Sequence, residues 1–185
     1  MAGLRVIGGI AKGRRLRMVP GEGTRPIGDR AKESLFNIIG ADVEGSRFLD
    51  LFAGTGSVGI EALSRGAATA VFLDTAPAAI RTVKDNLAAT GLTDKANVLQ
   101  MDAFVFLGRP PGPPFDYVFV APPQYHEVWL RALRALDAWP DGLSEDAWVV
   151  VQIDRREAED EGLLRLSRFD ERVYGTTMLR FYCAN

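Results

Sequence analysis

Gly54-Thr55-Gly56-Ser57-Val58-Gly59 spells G-x-G-x-x-G, and three carboxylates accompany it: Asp50 just before, Asp74 and Asp102 further on. Glycines in this pattern let a backbone turn tightly, approach a ligand and pack closely against a strand. Asp74, 20 residues after Gly54, suits the hydroxyls of a ribose. Asp50 sits inside the apolar run Phe48-Leu49-Asp50-Leu51-Phe52, where a carboxylate is costly without a partner. It would repel a pyrophosphate and attract the α-ammonium of S-adenosylmethionine, whose sulfonium also favours acidic surroundings. The set therefore points first to S-adenosylmethionine. A dinucleotide is the second reading, and a tight glycine turn with no ligand the third. Asp102 either takes an adenine amino group or caps a helix beginning at Ala103. The candidate cofactor residues are Asp50, Phe52, Ala53, Gly54, Thr55, Gly56, Gly59, Asp74, Thr75, Asp102 and Ala103.

Residues of this kind need a sheet to carry them. Compact apolar stretches predict strands over 48–52, 69–74, 97–102, 115–121 and 147–153. Helices are expected between them: 58–65, stopped by Gly66; one opening near Pro77 and closed by Gly91; and one marked by Trp129, Leu130, Leu133 and Leu136. The alternation predicts an α/β protein with a parallel sheet covered by helices on both faces. The three carboxylates and the glycine turn then fall at the carboxyl ends of three consecutive strands, the edge where open α/β sheets bind ligands. Before this core, 4–10 and 14–19 read as a hairpin around Ala11-Lys12-Gly13, and a helix with Asp29 as its candidate N-cap runs to Gly40. After it, 163–182 lacks a helical period and has Gly175 in its middle, so a terminal hairpin is expected.

The chain has 185 residues, enough for one domain, with residues 1–40 expected as a basic extension on a core of 41–185. Charged residues make up 25% and hydrophobic residues 47%, which excludes disorder and collagen; the apolar runs are too short to span a bilayer. One cysteine, Cys183, excludes an internal disulfide framework, and one histidine, His126, leaves no Cys/His zinc pattern. A cytoplasmic, metal-free, monomeric protein is expected. Its charge is uneven. Residues 1–32 hold eight basic groups against two acidic ones, and the remainder is acidic. A basic arm on an acidic body suggests docking to a polyanion, with Arg14, Arg15, Arg17, Arg25 and Arg30 as candidate RNA contacts. The alternative is an ordinary solvated hairpin, with Arg25 and Arg30 anchoring the start of the helix.

Asp50-Leu51-Phe52-Ala53-Gly54-Thr55-Gly56, with Gly59 and Glu61-Ala62-Leu63-Ser64-Arg65-Gly66, resembles class I methyltransferases. Arg5-Val6-Ile7-Gly8-Gly9, Gly13-Arg14-Arg15-Leu16, Thr24-Arg25-Pro26 and Asp29-Arg30-Ala31-Lys32-Glu33-Ser34-Leu35-Phe36-Asn37 narrow the resemblance. Together they are similar to the bacterial small-subunit ribosomal RNA guanine-N2 methyltransferases of type D. The resemblance covers essentially the whole chain. It implies a seven-stranded, mostly parallel Rossmann-like sheet with an N-terminal hairpin and helix. It also implies methyl transfer from S-adenosylmethionine to the exocyclic amine of one guanine in 16S rRNA, on small-subunit particles.

The family's catalytic motif is a carboxylate or amide followed by Pro-Pro and an aromatic, at the end of the fourth strand. Here it reads Ala121-Pro122-Pro123-Gln124-Tyr125, so the prolines match, the side-chain acceptor is missing and the aromatic is displaced by one. Backbone carbonyls at Ala121 and Pro122, or Gln124, would have to receive the amine hydrogens, unless the substrate differs. Tyr125 suits stacking on a flipped base, worth about 1–3 kcal/mol, or packs under the next helix. His126 is not required as a base, since the amine can lose its proton to water. Two further functions fit the residues: methylation of another planar amine, and a non-catalytic RNA-binding or ribosome-assembly factor that retains its cofactor fold.

Overall fold

The computed structural model describes residues 3–21, 26–123 and 127–184. Its sheet contains β1 (Arg47–Asp50), β2 (Thr69–Asp74), β3 (Ala96–Gln100), β4 (Phe115–Val120), β5 (Leu143–Asp154), β6 (Leu166–Tyr174) and β7 (Thr177–Ala184). The spatial order is β3-β2-β1-β4-β5-β7-β6. β1 to β5 run parallel, while β7 returns antiparallel against β5 and pairs with β6 at the outer edge. The helices are α1 (Asp29–Ile39), α2 (Ser57–Ser64), α3 (Pro77–Thr90), α4 (Ala103–Leu107) and α5 (Val128–Asp137). The predicted α/β architecture is the observed one.

Side-chain alternation along each strand divides the core in two. Phe48, Phe72, Tyr117 and Phe119 face a cluster shared with α1, α2, α3 and the N-terminal arm. Leu49, Val71, Leu73, Val118 and Val120 face the opposite cluster, with α4 and α5. Both faces of the central strands are buried, which explains why they read as continuous apolar runs rather than alternating ones. α2 is buried along its whole length, its polar residues Ser57, Glu61 and Ser64 included.

Three local expectations are corrected. The N-terminal hairpin forms no strands: one antiparallel bridge, Arg5 to Arg15, joins its limbs. The limbs are still joined by backbone hydrogen bonds, Val6 N–H to the Arg14 carbonyl and Leu16 N–H to the Leu4 carbonyl among them, while α2 supplies partners to Ile7, Gly8 and Ala11 between them. Asp29 is not the cap of α1, because the flanking residue is Gly28 and no side chain caps the helix. Asp29 is the first helical residue, and its carboxylate accepts from Arg5 Nε at 3.1 Å. β5 is also longer than predicted, starting at Leu143, because Phe115 pairs with Leu143 before a register shift. The terminal hairpin forms as expected, turning at Gly175 with φ 63°.

Candidate functional site

The glycine turn joins β1 to α2. Gly54 and Gly56 adopt φ of 53° and 74°, in the left-handed region that side chains rarely occupy. Gly59 serves packing: a Cβ there would stand 2.4 Å from Phe72 Cε1. Asp50 ends β1 and is 2% exposed, and its Oδ2 accepts from Gly59 N–H at 3.1 Å. Burial pushes its carboxyl up to about 7, opposed by the Gly59 hydrogen bond and reinforced by the nearby charge of Asp74. No cation pairs with it among the described residues. Asp74 ends β2 and braces the turn, with one oxygen accepting from Gly54 N–H and the other from Ala76 N–H, both at 2.9 Å. Thr75 follows it, exposed.

Parallel register brings these groups to one edge. Asp50 lies level with Phe72 on β2 and Phe119 on β4, and Asp74 lies level with Gln100 on β3. Phe52 is half-buried beside the turn, while Ala53 and Thr55 are buried within it. Beyond β3, Asp102 caps α4: a single oxygen accepts from Phe104 N–H at 2.8 Å and Val105 N–H at 3.0 Å. Its neighbour Ala103 is buried. Ala121 and Pro122 are half-buried after β4, and Pro123 is exposed. Gln124, Tyr125 and His126 lie outside the described residues. A cavity of about 530 Å³ lies elsewhere, at the amino end of β5, lined by Asp137, Leu143, Glu145, Asp146 and Arg165 among others. Its carboxylate Asp137 is consumed by backbone N–H donors from Leu164, Arg165 and Leu166.

Residues that the sequence left without a role dock the N-terminal arm. Glu61 of α2 accepts from Ile7 N–H at 2.8 Å and Gly8 N–H at 2.7 Å, and pairs with Arg65 at 2.8 Å and Lys32 at 3.5 Å. Ser64 Oγ accepts from Ala11 N–H and donates to the Gly8 carbonyl. Gly9 lies so close to α2 that a Cβ would stand 1.8 Å from the Ser64 carbonyl oxygen. Lys32, counted above among the basic groups of the arm, is 0% exposed; its ammonium donates to the Arg5 carbonyl at 2.6 Å. Desolvation lowers its pKa, against the pull of Glu61. The readable signal was Glu61 itself, a carboxylate within an apolar helix.

Of the candidate RNA contacts, Arg14, Arg15 and Arg30 are exposed, and Arg17 is exposed with its guanidinium 3.0 Å from Asp85. Arg25 lies outside the described residues. The outward charge of the arm is therefore smaller than its composition suggests, since Lys32 is buried and Arg5 pairs with Asp29.

Residues 4–183 match the model of the family described as conserved hypothetical protein 95. The chain belongs to that family. It is 43% identical over 97% of its length to YlbH of Bacillus subtilis (strain 168), a protein named as a candidate rRNA methyltransferase, 98% of which is covered. It is 33% identical to the ribosomal RNA small subunit methyltransferase D of Escherichia coli (strain K12), covering 97% of this chain and 89% of that one. The solved structure of yhhF from Escherichia coli superposes with a TM-score of 0.87 at 32% identity, covering 100% of this chain and 99% of that one. An RNA methyltransferase from Salinibacter ruber, in complex with S-adenosyl-L-homocysteine, shares the fold at a TM-score of 0.67 and 18% identity, covering 86% and 94%. The family resemblance carried by the N-terminal signature is borne out.

Proposed function

We propose that this protein transfers the methyl group of S-adenosylmethionine to the exocyclic N2 amine of one guanine in 16S rRNA, acting as a monomer in the cytoplasm on small-subunit particles. The observation that carries the reading is the buried Asp50 carboxylate. It is held against the glycine turn with no cation of its own among the described residues, in a chain related to a small-subunit rRNA methyltransferase. The site residues fit the cofactor: Gly54 and Gly56 present bare backbone, and Asp50 offers a negative charge whose burial favours a cationic partner. Asp74, Thr75, Phe52, Ala53, Thr55, Gly59, Asp102 and Ala103 complete the proposed cradle, with Asp74 directed to the ribose. When bound, the cofactor supplies an electrophilic methyl group.

The protein's own work is then positioning, which can contribute roughly 7–11 kcal/mol through effective molarity. Pro122 and Pro123 fix φ and hold the chain after β4 in one shape. The carbonyls of Ala121 and Pro122 accept the amine hydrogens and aim the nitrogen lone pair, with Gln124 as the nearest side-chain acceptor in sequence. Tyr125 stacks on the flipped base. Arg14, Arg15, Arg17, Arg25 and Arg30 grip phosphates. The proton leaves to water after transfer.

The test is transfer of tritiated methyl to small subunits lacking the modification and to naked 16S rRNA, with an acidic-motif family enzyme as control. Incorporation at one guanine is expected, and none beside an active control would sink the reading. Ala121 favours a second reading, a cofactor-binding assembly factor without turnover. Saturable cofactor binding with no transfer to any particle would select it.

A further inference from the structure

Asn86, on α3, is hydrogen-bonded to both the N-terminal arm and the glycine turn. It is fully buried. Its Oδ1 accepts from Arg17 N–H at 2.7 Å, and its Nδ2 donates to the Arg17 carbonyl at 3.1 Å and to the Thr55 carbonyl at 2.9 Å. One side-chain amide thus binds both backbone groups of an arm residue and a carbonyl inside the glycine turn. Arg17 meanwhile points its guanidinium outward, to Asp85 on the adjacent position of α3. That pair is exposed on both sides, so a phosphate can replace the carboxylate at little cost. The limb carrying Arg14, Arg15 and Arg17 is tied to the preceding limb by hydrogen bonds from Val6 N–H to the Arg14 carbonyl and from Leu16 N–H to the Leu4 carbonyl, and at Arg17 its backbone is held by Asn86.

We infer that Asn86 is a positioning residue linking RNA engagement by the arm to order in the cofactor turn, so that RNA and cofactor each strengthen the binding of the other. This rests on the proposed assignment of the arm to RNA and of the glycine turn to S-adenosylmethionine. RNA gripping Arg14, Arg15 and Arg17 restrains the limb, and Asn86 passes the restraint to Thr55, whose neighbours Gly54 and Gly56 have the least intrinsic preference for one conformation. Such linkage is reciprocal.

The experiment is equilibrium binding of radiolabelled S-adenosylhomocysteine, with and without saturating small-subunit particles that lack the modification as the source of RNA. For the wild-type chain, RNA should tighten binding by about fivefold or more, the lower end of ordinary coupling. In Asn86→Ala the tightening should disappear while each ligand alone still binds. A purely structural loss would weaken S-adenosylhomocysteine equally with and without RNA, which would overturn the inference, as would unchanged tightening. Arg17→Pro and Arg17→Ala provide a pair that leaves the Asn86 side chain in place: both lose the charge, and only the proline loses the N–H that Asn86 accepts. Coupling should survive in Arg17→Ala and vanish in Arg17→Pro; equal coupling in the two would overturn the inference. Failure of the wild-type chain to bind either ligand would overturn the functional reading and this inference with it. Binding of both without tightening would overturn only the linkage.

Discussion

The N-terminal arm and the C-terminal β6–β7 hairpin are both two-limbed additions to one core, and each is anchored by a buried glutamate. Glu61 holds the arm by accepting from backbone N–H groups of Ile7 and Gly8, over the cations Lys32 and Arg65. Glu161 ties side chains of the hairpin: Arg180 at 2.6 Å, Tyr182 Oη at 2.7 Å and Arg168 at 3.3 Å. The hairpin also has a ladder from Leu166 opposite Ala184 to Tyr174 opposite Thr177, whereas the arm has one bridge. Similar carboxylates therefore carry unequal responsibility. Glu61 supplies what a strand would have supplied, and Glu161 reinforces a structure that backbone pairing already fixes.

Substitution should expose the inequality. Glu61→Ala leaves the Lys32 ammonium buried without its carboxylate and the Ile7 and Gly8 N–H groups without their acceptor, so a loss of about 3–5 kcal/mol is expected in urea unfolding. A loss under about 1 kcal/mol would remove the distinction between the two ends. Glu161→Ala should cost less, about 1–3 kcal/mol, because Arg180 keeps Glu171 at 2.9 Å and the Glu159 carbonyl at 2.9 Å. Equal losses would show that the ladder does not compensate.

Asp50 is the contrasting buried carboxylate: it ends a paired strand, but among the described residues no cation faces it. With its folded pKa raised to about 7, the protein without cofactor keeps this contribution to stability below the ordinary carboxylate range and loses it as pH rises through 7. Cofactor affinity should run the other way. If the ionised form binds, affinity for S-adenosylhomocysteine should rise roughly tenfold between pH 6 and 8, and calorimetry on Asp50→Asn should show a flat profile. A sloping profile in Asp50→Asn would assign the titration elsewhere. The smallest effect belongs to Arg172 on β6, whose pair with Asp170 is exposed: Arg172→Ala should shift thermal unfolding by the equivalent of about 0–1 kcal/mol.

Features encoded within a short window were legible from the sequence. The glycine turn, Asp50 and Asp74 at strand ends, and the terminal hairpin around Gly175 all follow from residue type and local spacing. The docking of the N-terminal arm was not, because its partners are remote: Glu61 lies 54 residues from Ile7, and Asn86 lies 69 from Arg17. Periodicity says which face of a helix is buried, not which distant backbone it will satisfy. Charge counting misled for the same reason. Lys32 contributes to the basic total of the first 32 residues, yet its ammonium faces inward onto Arg5 and Glu61. Asp102 shows the reverse, since the helix-cap alternative was readable from the residues that follow it and is the geometry observed.

The contact between Gly59 and Phe72 has a consequence for how this chain can vary. The ring occupies the space a Cβ at position 59 would need, so an alanine there cannot be accommodated while the phenylalanine remains. Positions 59 and 72 thus form an interlock, in which the smaller residue is fixed by the larger. A saturation library at 59 alone should return almost nothing folded besides glycine. A paired library should recover Gly59→Ala when it is combined with Phe72→Leu or Phe72→Val, so this constraint belongs to the couple rather than to the motif glycine.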